Sequence, residues 1–176
     1  MQRDLDLLTE EDWIPHFVEQ NFDGEWSVVP LRAPVGATHP VKQIYSDPTC
    51  ENFCDTHHLT NCGYLREIIN WFECPVRAVR LMKLARGSTI HEHRDFDLDI
   101  ESGTARLHIV VVTNPQVEFR LNQELVPMLA GNCYYLRLSE PHSVKNEGTS
   151  DRVHMVLDVE INDWLMSQLN EVWDAR

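Results

Sequence analysis

Hydrophobic positions along the chain change period near residue 75. Before it, Leu65, Ile68, Ile69 and Phe72 recur at helical spacing and predict a helix over residues 62–72, closed off ahead of Pro75. Thr9-Glu10-Glu11-Asp12, followed by Trp13, Ile14, Phe17 and Val18, reads as a capped first turn leading into a helix, with Pro15 inside that turn. Residues 26–31 read as a strand ended by Arg32-Ala33-Pro34. Residues 33–59 are rich in Pro, Gly, Thr and Asp and hold no period, which predicts a long surface loop of the kind that serves as a lid. After Pro75 the runs 76–84, 104–113, 117–121, 133–138 and 153–161 are strand-like, with turn residues at Gly87, Gly103, Asn114-Pro115, Gly131 and Gly148 between them. Asn122-Gln123-Glu124 marks a hairpin turn between residues 119–121 and 125–126, and residues 162–173 predict a last amphipathic helix with Trp164, Leu165, Leu169 and Trp173 on one side. The pattern predicts a mainly β protein of one domain, 1–176: a jelly-roll core over 76–161, a helical and loop part over 1–75 packed on it, and a C-terminal helix over 162–176.

Charge narrows the function. A net charge of −13, with fifteen scattered Lys and Arg, repels phosphate backbones and argues against nucleic acid as a partner. No apolar run approaches a membrane span. Met1-Gln2-Arg3-Asp4 opens without an apolar signal segment, so the expected location is the cytoplasm. Five cysteines, an odd number, fit reduced thiols better than a disulfide framework.

The densest chemistry lies in residues 87–95. Strand alternation puts His91, His93 and Asp95 on one face, with Ile90, Glu92 and Arg94 on the other. A His-x-Asp pair with a distant His, here His142, supplies the three adjacent ligands of a non-haem Fe(II) site with open positions. The bland alternative is three ordinary polar residues at a strand end, since nine histidines make chance pairs common. Arg152, ten residues after His142, favours the metal: a hairpin partner strand can carry its guanidinium into the same pocket, to meet a cosubstrate carboxylate. Arg106 and His108 share the inward face of an otherwise apolar strand, so they meet either an anion or acidic neighbours such as Asp97 or Asp99. His91, His93 and His142 form an alternative three-His, cupin-like site, although no Glu follows at the expected distance. Cys50, Cys54, His57, His58 and Cys62 form a possible zinc cluster without paired C-x-x-C knuckles. Arg32 is a weaker candidate for a substrate carboxylate, and Arg80 and Arg137 weaker still; each reads equally as a surface cation. The five tryptophans read as packing residues.

The ordered set Arg80 to Asp95, Arg106-Leu107-His108, Pro141-His142 and Arg152 resembles the aspartyl/asparaginyl β-hydroxylase family over roughly residues 26–158. That family comprises Fe(II)- and 2-oxoglutarate-dependent oxygenases with a double-stranded β-helix, prolyl amino-acid hydroxylases and a lipid A acyl-chain hydroxylase among them. The resemblance implies iron ligation by His93 and His142, with Arg152 on the far carboxylate of 2-oxoglutarate and Arg106 and His108 in the cosubstrate pocket. It assigns His91 no ligand role. Two departures stand out: Asp95 replaces the glycine of the animal enzymes and restores a third ligand, and Met82 replaces their pocket serine. The expectation is hydroxylation, with dioxygen, of a C–H bond in an amino acid or an aspartyl/asparaginyl-type residue, free or in a peptide. The alternative is a non-catalytic or differently metallated cupin-like binding protein.

Overall fold

The period-two runs after Pro75 become the strands of two facing antiparallel sheets. The computed structural model describes every residue except Ser46, Pro48, Asp97, Ala175 and Arg176, with backbone only for residues 170–174. In chain order the elements are α1 (Gln2–Leu5), β1 (Ile14–Pro15), β2 (Phe22–Asp23), β3 (Trp26–Pro34), α2 (Pro40–Ile44), β4 (Phe53–Asp55), α3 (His57–Thr60) and α4 (Gly63–Trp71). Then follow β5 (Val76–Leu84), β6 (Thr89–His93), β7 (Thr104–Val112), β8 (Val117–Leu121), β9 (Glu124–Leu125), β10 (Cys133–Tyr135), β11 (His142–Asn146), β12 (Arg152–Glu160) and α5 (Asp163–Asp174). The larger sheet runs β1-β3-β5-β12-β7-β10, with β4 also on β3; the smaller runs β2-β6-β11-β8-β9. This is the expected jelly roll.

The larger sheet is buried on both faces, which is why its strands read as nearly continuous apolar runs. In β12, Val153, Met155, Leu157 and Val159 face outward into a core shared with Leu65 and Ile69 of α4 and Leu165 of α5. Alternation sends Arg152, His154, Val156 and Asp158 inward, where Val156 packs with Val28, Met82, Leu84, Phe119 and Val144. Each such buried aliphatic contributes roughly 1.5–3 kcal/mol. The outer core fixes the sheet, and the inner one shapes a cavity.

Several expectations change. Residues 9–18 do not form a helix. Asp12 accepts from Thr9 N–H (2.7 Å) and Oγ1 (3.0 Å), which caps one short turn at Glu10–Asp12. The chain then extends as β1, with Ile14 opposite Val28 and Pro15 opposite Ser27 at the sheet edge. An edge tolerates proline, whose missing N–H would end a helix interior. Residues 33–59 are not structureless: they hold α2, β4 and the start of α3, each too short for a period to register. β3 is an integral strand of the larger sheet, so the barrel draws on residues before 76. β11 and β12 are not hairpin partners either: β11 pairs with β6 and β8, β12 with β5 and β7, and residues 147–151 cross between sheets. The expected hairpin forms with a tighter turn, Asn122-Gln123, at φ of 50° and 67°, while Glu124 already pairs with Leu121 in β9. Among the described residues, no helix is long and apolar enough to cross a membrane.

Candidate metal centre

His93 of β6 lies directly opposite His142 of β11. Simple alternation would not bring them inward together with their neighbours. Ile90 pairs with Val144 and His93 with His142, so three steps along β6 match two along β11. The extra residue is a β-bulge, and it turns both Ile90 and His93 toward the cavity. His91, expected on the face of His93, is instead exposed, held by Asp23 Oδ2 at 2.9 Å and the Gln20 carbonyl at 3.2 Å. The three-His alternative is therefore not assembled.

Asp95 follows the strand, anchored by its N–H donating to the Leu138 carbonyl (2.8 Å). One donor atom from each of His93, Asp95 and His142 falls within 4.8 Å of the others. His93 Nε2 and Asp95 Oδ1 are 3.6 Å apart, and the two imidazole centroids 4.3 Å. His93 Nδ1 lies 2.8 Å from the His91 carbonyl, and His142 Nδ1 3.0 Å from that of Glu140. A carbonyl only accepts, so each Nδ1 carries the proton and each Nε2 lone pair is left for a metal. Burial lowers the pKa of His142 and keeps it neutral, as a ligand must be. Phe119 stacks parallel to its ring at 6.1 Å.

Arg106 sets the carboxylate. Its Nη1 donates to Asp95 Oδ2 at 2.5 Å, leaving Oδ1 toward the histidines. Its Nε and Nη2 donate to the two oxygens of Asp158 at 2.7 and 3.1 Å. Arg80, buried rather than solvent-facing, shares Asp158 and donates to the Ile44 carbonyl at 3.1 Å. Burial opposes the charge of Arg106, but Asp158 and Asp95 outweigh it and hold the guanidinium protonated. The acidic partners are thus Asp95 and Asp158. Asp99 caps the turn at Ser102, and Asp97 lies outside the described residues.

Arg152 differs. It is buried, and its guanidinium has no carboxylate within ion-pair distance among the described residues. Its Nη2 donates to His154 Nδ1 at 2.8 Å and its Nε has no partner. Burial pushes it down to about 9, so it stays charged at neutral pH, and a buried charge of this kind is costly unless an anion meets it. His108 stands beside it, kept neutral by burial and by Arg152, with Nδ1 3.4 Å from His154 Nδ1 and Nε2 unpartnered.

His93, Asp95, His142, Arg106, His108 and Arg152 all line one cavity of about 700 Å³, and Met82 joins them. Arg32 does not: it pairs with Asp55 at 2.7 Å and donates to the Val76 carbonyl at 3.1 Å, away from the cavity. Arg137 pairs with Glu101 in the open. The cysteine cluster does not gather: Cys62 is buried in the outer core, while Cys54 is exposed and Cys50 half-buried. Trp26 packs in the inner core as expected and also lines the cavity, with His16 stacked on it at 3.6 Å; Trp71, though 61% exposed, packs edge-on against Phe72 and Trp164. Sequence reasoning missed Asp158 and His154. Their signal was the period of β12, which aligns both with Arg152.

Comparison with known proteins identifies the family. The family profile described as aspartyl/asparaginyl beta-hydroxylase matches residues 1–161, and the chain belongs to that family. A named relative is the L-proline cis-4-hydroxylase of Rhizobium meliloti (strain 1021), 28% identical over 111 residues. The match takes in 62% of this chain and 39% of that protein, so the chain spans well under half of that relative's length. Among solved structures, a predicted oxalate decarboxylase from Thermotoga maritima is similar at a TM-score of 0.46 and 16% identity, over 85% of this chain and 90% of that one. A cupin domain from Bordetella pertussis Tohama I gives 0.38 and 15%, over 51% and 88%.

Proposed function

We propose that the chain is an Fe(II)- and 2-oxoglutarate-dependent hydroxylase acting on a C–H bond of an amino acid or an aspartyl/asparaginyl-type residue. One observation carries this: a buried arginine without a carboxylate partner among the described residues opens on the same cavity as two Nε2-presenting imidazoles and an oriented carboxylate. Two imidazoles and one carboxylate are a donor set suited to Fe(II), and the unpartnered Nε of Arg152 suits the far carboxylate of a keto diacid. His93, Asp95 and His142 hold the iron; Arg152 anchors the cosubstrate, with His108 beside it. When bound, the iron and cosubstrate supply C–H oxidation by dioxygen, with release of succinate and carbon dioxide.

The chain's own residues orient and exclude. The carbonyls of His91 and Glu140 fix both imidazole tautomers. Arg106 works through Asp95, whose Oδ2 it holds, rather than by a free guanidinium of its own. Met82, Phe119 and Val144 form a dry wall behind the centre. The belonging to a hydroxylase family and the proline hydroxylase relative support the reaction class. A net charge of −13 fits a cytoplasmic protein with a small amino-acid or peptide substrate, and neither nucleic acid nor membrane as partner.

Anaerobic titration with Fe(II) and then 2-oxoglutarate tests the reading. A visible metal-to-ligand charge-transfer band is expected, absent in His142→Ala and in Arg152→Ala at modest cosubstrate concentration. Iron binding without a band overturns the cosubstrate assignment, and absence of iron binding overturns the centre. Succinate release then screens substrates.

A further inference from the structure

A second group of metal-capable side chains lies at the edge of the larger sheet. The edge of β3 away from β5 carries two short strands end to end: β1 opposite Val28 and Ser27, and β4 opposite residues 32–34. Because both run antiparallel to β3, the start of β1 and the end of β4 meet beside Pro30 and Leu31. Thr56 closes the gap, donating its N–H to the Leu31 carbonyl at 2.9 Å and its Oγ1 to that of Pro30 at 2.6 Å. Asp12, just before β1, therefore meets His57 and His58, just after β4.

Each of these three side chains offers a donor atom within 4.8 Å of the other two. Asp12 uses Oδ2 for Thr9, which leaves Oδ1 free and aimed at His58. Oδ1 and His58 Nδ1 stand 3.5 Å apart without a hydrogen bond between them. That is close to the ~3.3 Å separation of two ligands bound tetrahedrally at about 2.0–2.1 Å. The His58 side chain is only 9% exposed, so its imidazole is held in place at the junction. Glu10, paired with Lys83, and Glu11 share the short turn with Asp12.

The junction also governs the cavity mouth. Directly after β1 come His16, Phe17 and Val18, before β4 come Ile44 and Tyr45, and Phe53 opens β4; all line the cavity. We propose that Asp12, His57 and His58 bind a zinc-class divalent cation that fastens the two short edge strands together and so holds both walls of the cavity mouth. Two imidazoles and a carboxylate select such a borderline cation over magnesium or calcium. Its role is structural, and it stands independently of the hydroxylase reading.

The test is zinc titration of the metal-free chain against a chromophoric chelator, with thermal unfolding in parallel. The His93→Ala/His142→Ala variant silences the barrel centre. It is expected to bind one zinc per chain and to gain several degrees in thermal midpoint, since a ligand that binds the folded state stabilises it. Both effects are lost when Asp12→Asn or His57→Ala is added. His57 is exposed, so its removal leaves the fold intact. If the double variant does not fold, His57→Ala in the otherwise unmutated chain reads the same site by losing one zinc equivalent. No zinc at this site, zinc retained in both Asp12→Asn and His57→Ala, or zinc that leaves the midpoint unchanged overturns the proposal.

Discussion

Two arginines on one inward face do opposite work. Arg106 is neutralised by Asp95 and Asp158 and serves geometry; Arg152, whose side-chain partner among the described residues is the neutral acceptor His154, keeps an uncancelled charge. His154 suits that role because arginine only donates, so the contact fixes the guanidinium without cancelling it. Arg152→Gln should therefore weaken 2-oxoglutarate by about 30–100-fold, the equivalent of a charge-assisted interaction of about 2–3 kcal/mol, while iron affinity stays near wild type. The charge-transfer titration separates the two constants, and equal loss of both would mean that Arg152 only supports the fold. The individual residues of the candidate site were legible in sequence because His, Asp and Arg on apolar strands are chemically conspicuous. Their partners were not. Nothing local told Arg106 that it would meet Asp158, 52 residues on, while Asp99 caps a turn of its own.

At the scale of elements, strand alternation located β5, β7 and β12 almost to the residue but failed at β6, where one extra residue reverses the faces. A bulge is defined by the partner strand, so alternation within β6 could not reveal it. A second close fit secures the same region. Gly24 has φ +87°, and a Cβ there would collide with Ser88 Oγ and come within 2.8 Å of Ser88 Cβ. Ser88 is buried, accepts from Glu25 N–H at 2.8 Å, and its carbonyl accepts from Asn146 N–H at 3.0 Å, which links the start of β3 to β6 and β11. Gly24→Ala combines a left-handed backbone with overpacking and should cost about 2–4 kcal/mol. Urea unfolding should show a lower midpoint at unchanged slope. An unshifted midpoint would mean that the turn between β2 and β3 yields and the contact is slack.

Across the whole molecule, one sheet is packed on both faces while its inner face also carries charge. That arrangement has a pH signature. His16 stacks on Trp26 inside the cavity wall; burial, and then the charges of Arg80 and Arg106, push its pKa down to about 4. An unfolded histidine titrates near ~6.5. Between these values the unfolded chain takes up a proton that the folded chain refuses, so this stability is present above ~6.5 and falls as pH drops toward about 4. His16→Phe should remove about 1–2 kcal/mol of that slope, less than the full shift because the ring is partly solvated. Denaturant melts at several pH values measure it, and an unchanged slope would place the acid sensitivity elsewhere. By itself the sequence determined the jelly-roll class, the strands after Pro75, and the histidines, carboxylate and arginines of the candidate centre, because period and side-chain chemistry are local properties. Only the tertiary structure decided which sheet each strand joined, which face His93 presents, that Arg32 turns away to Asp55, and that Asp12 meets His57 and His58. Those outcomes depend on register and charge pairing between segments far apart in the chain, and these exist only once the sheets have formed.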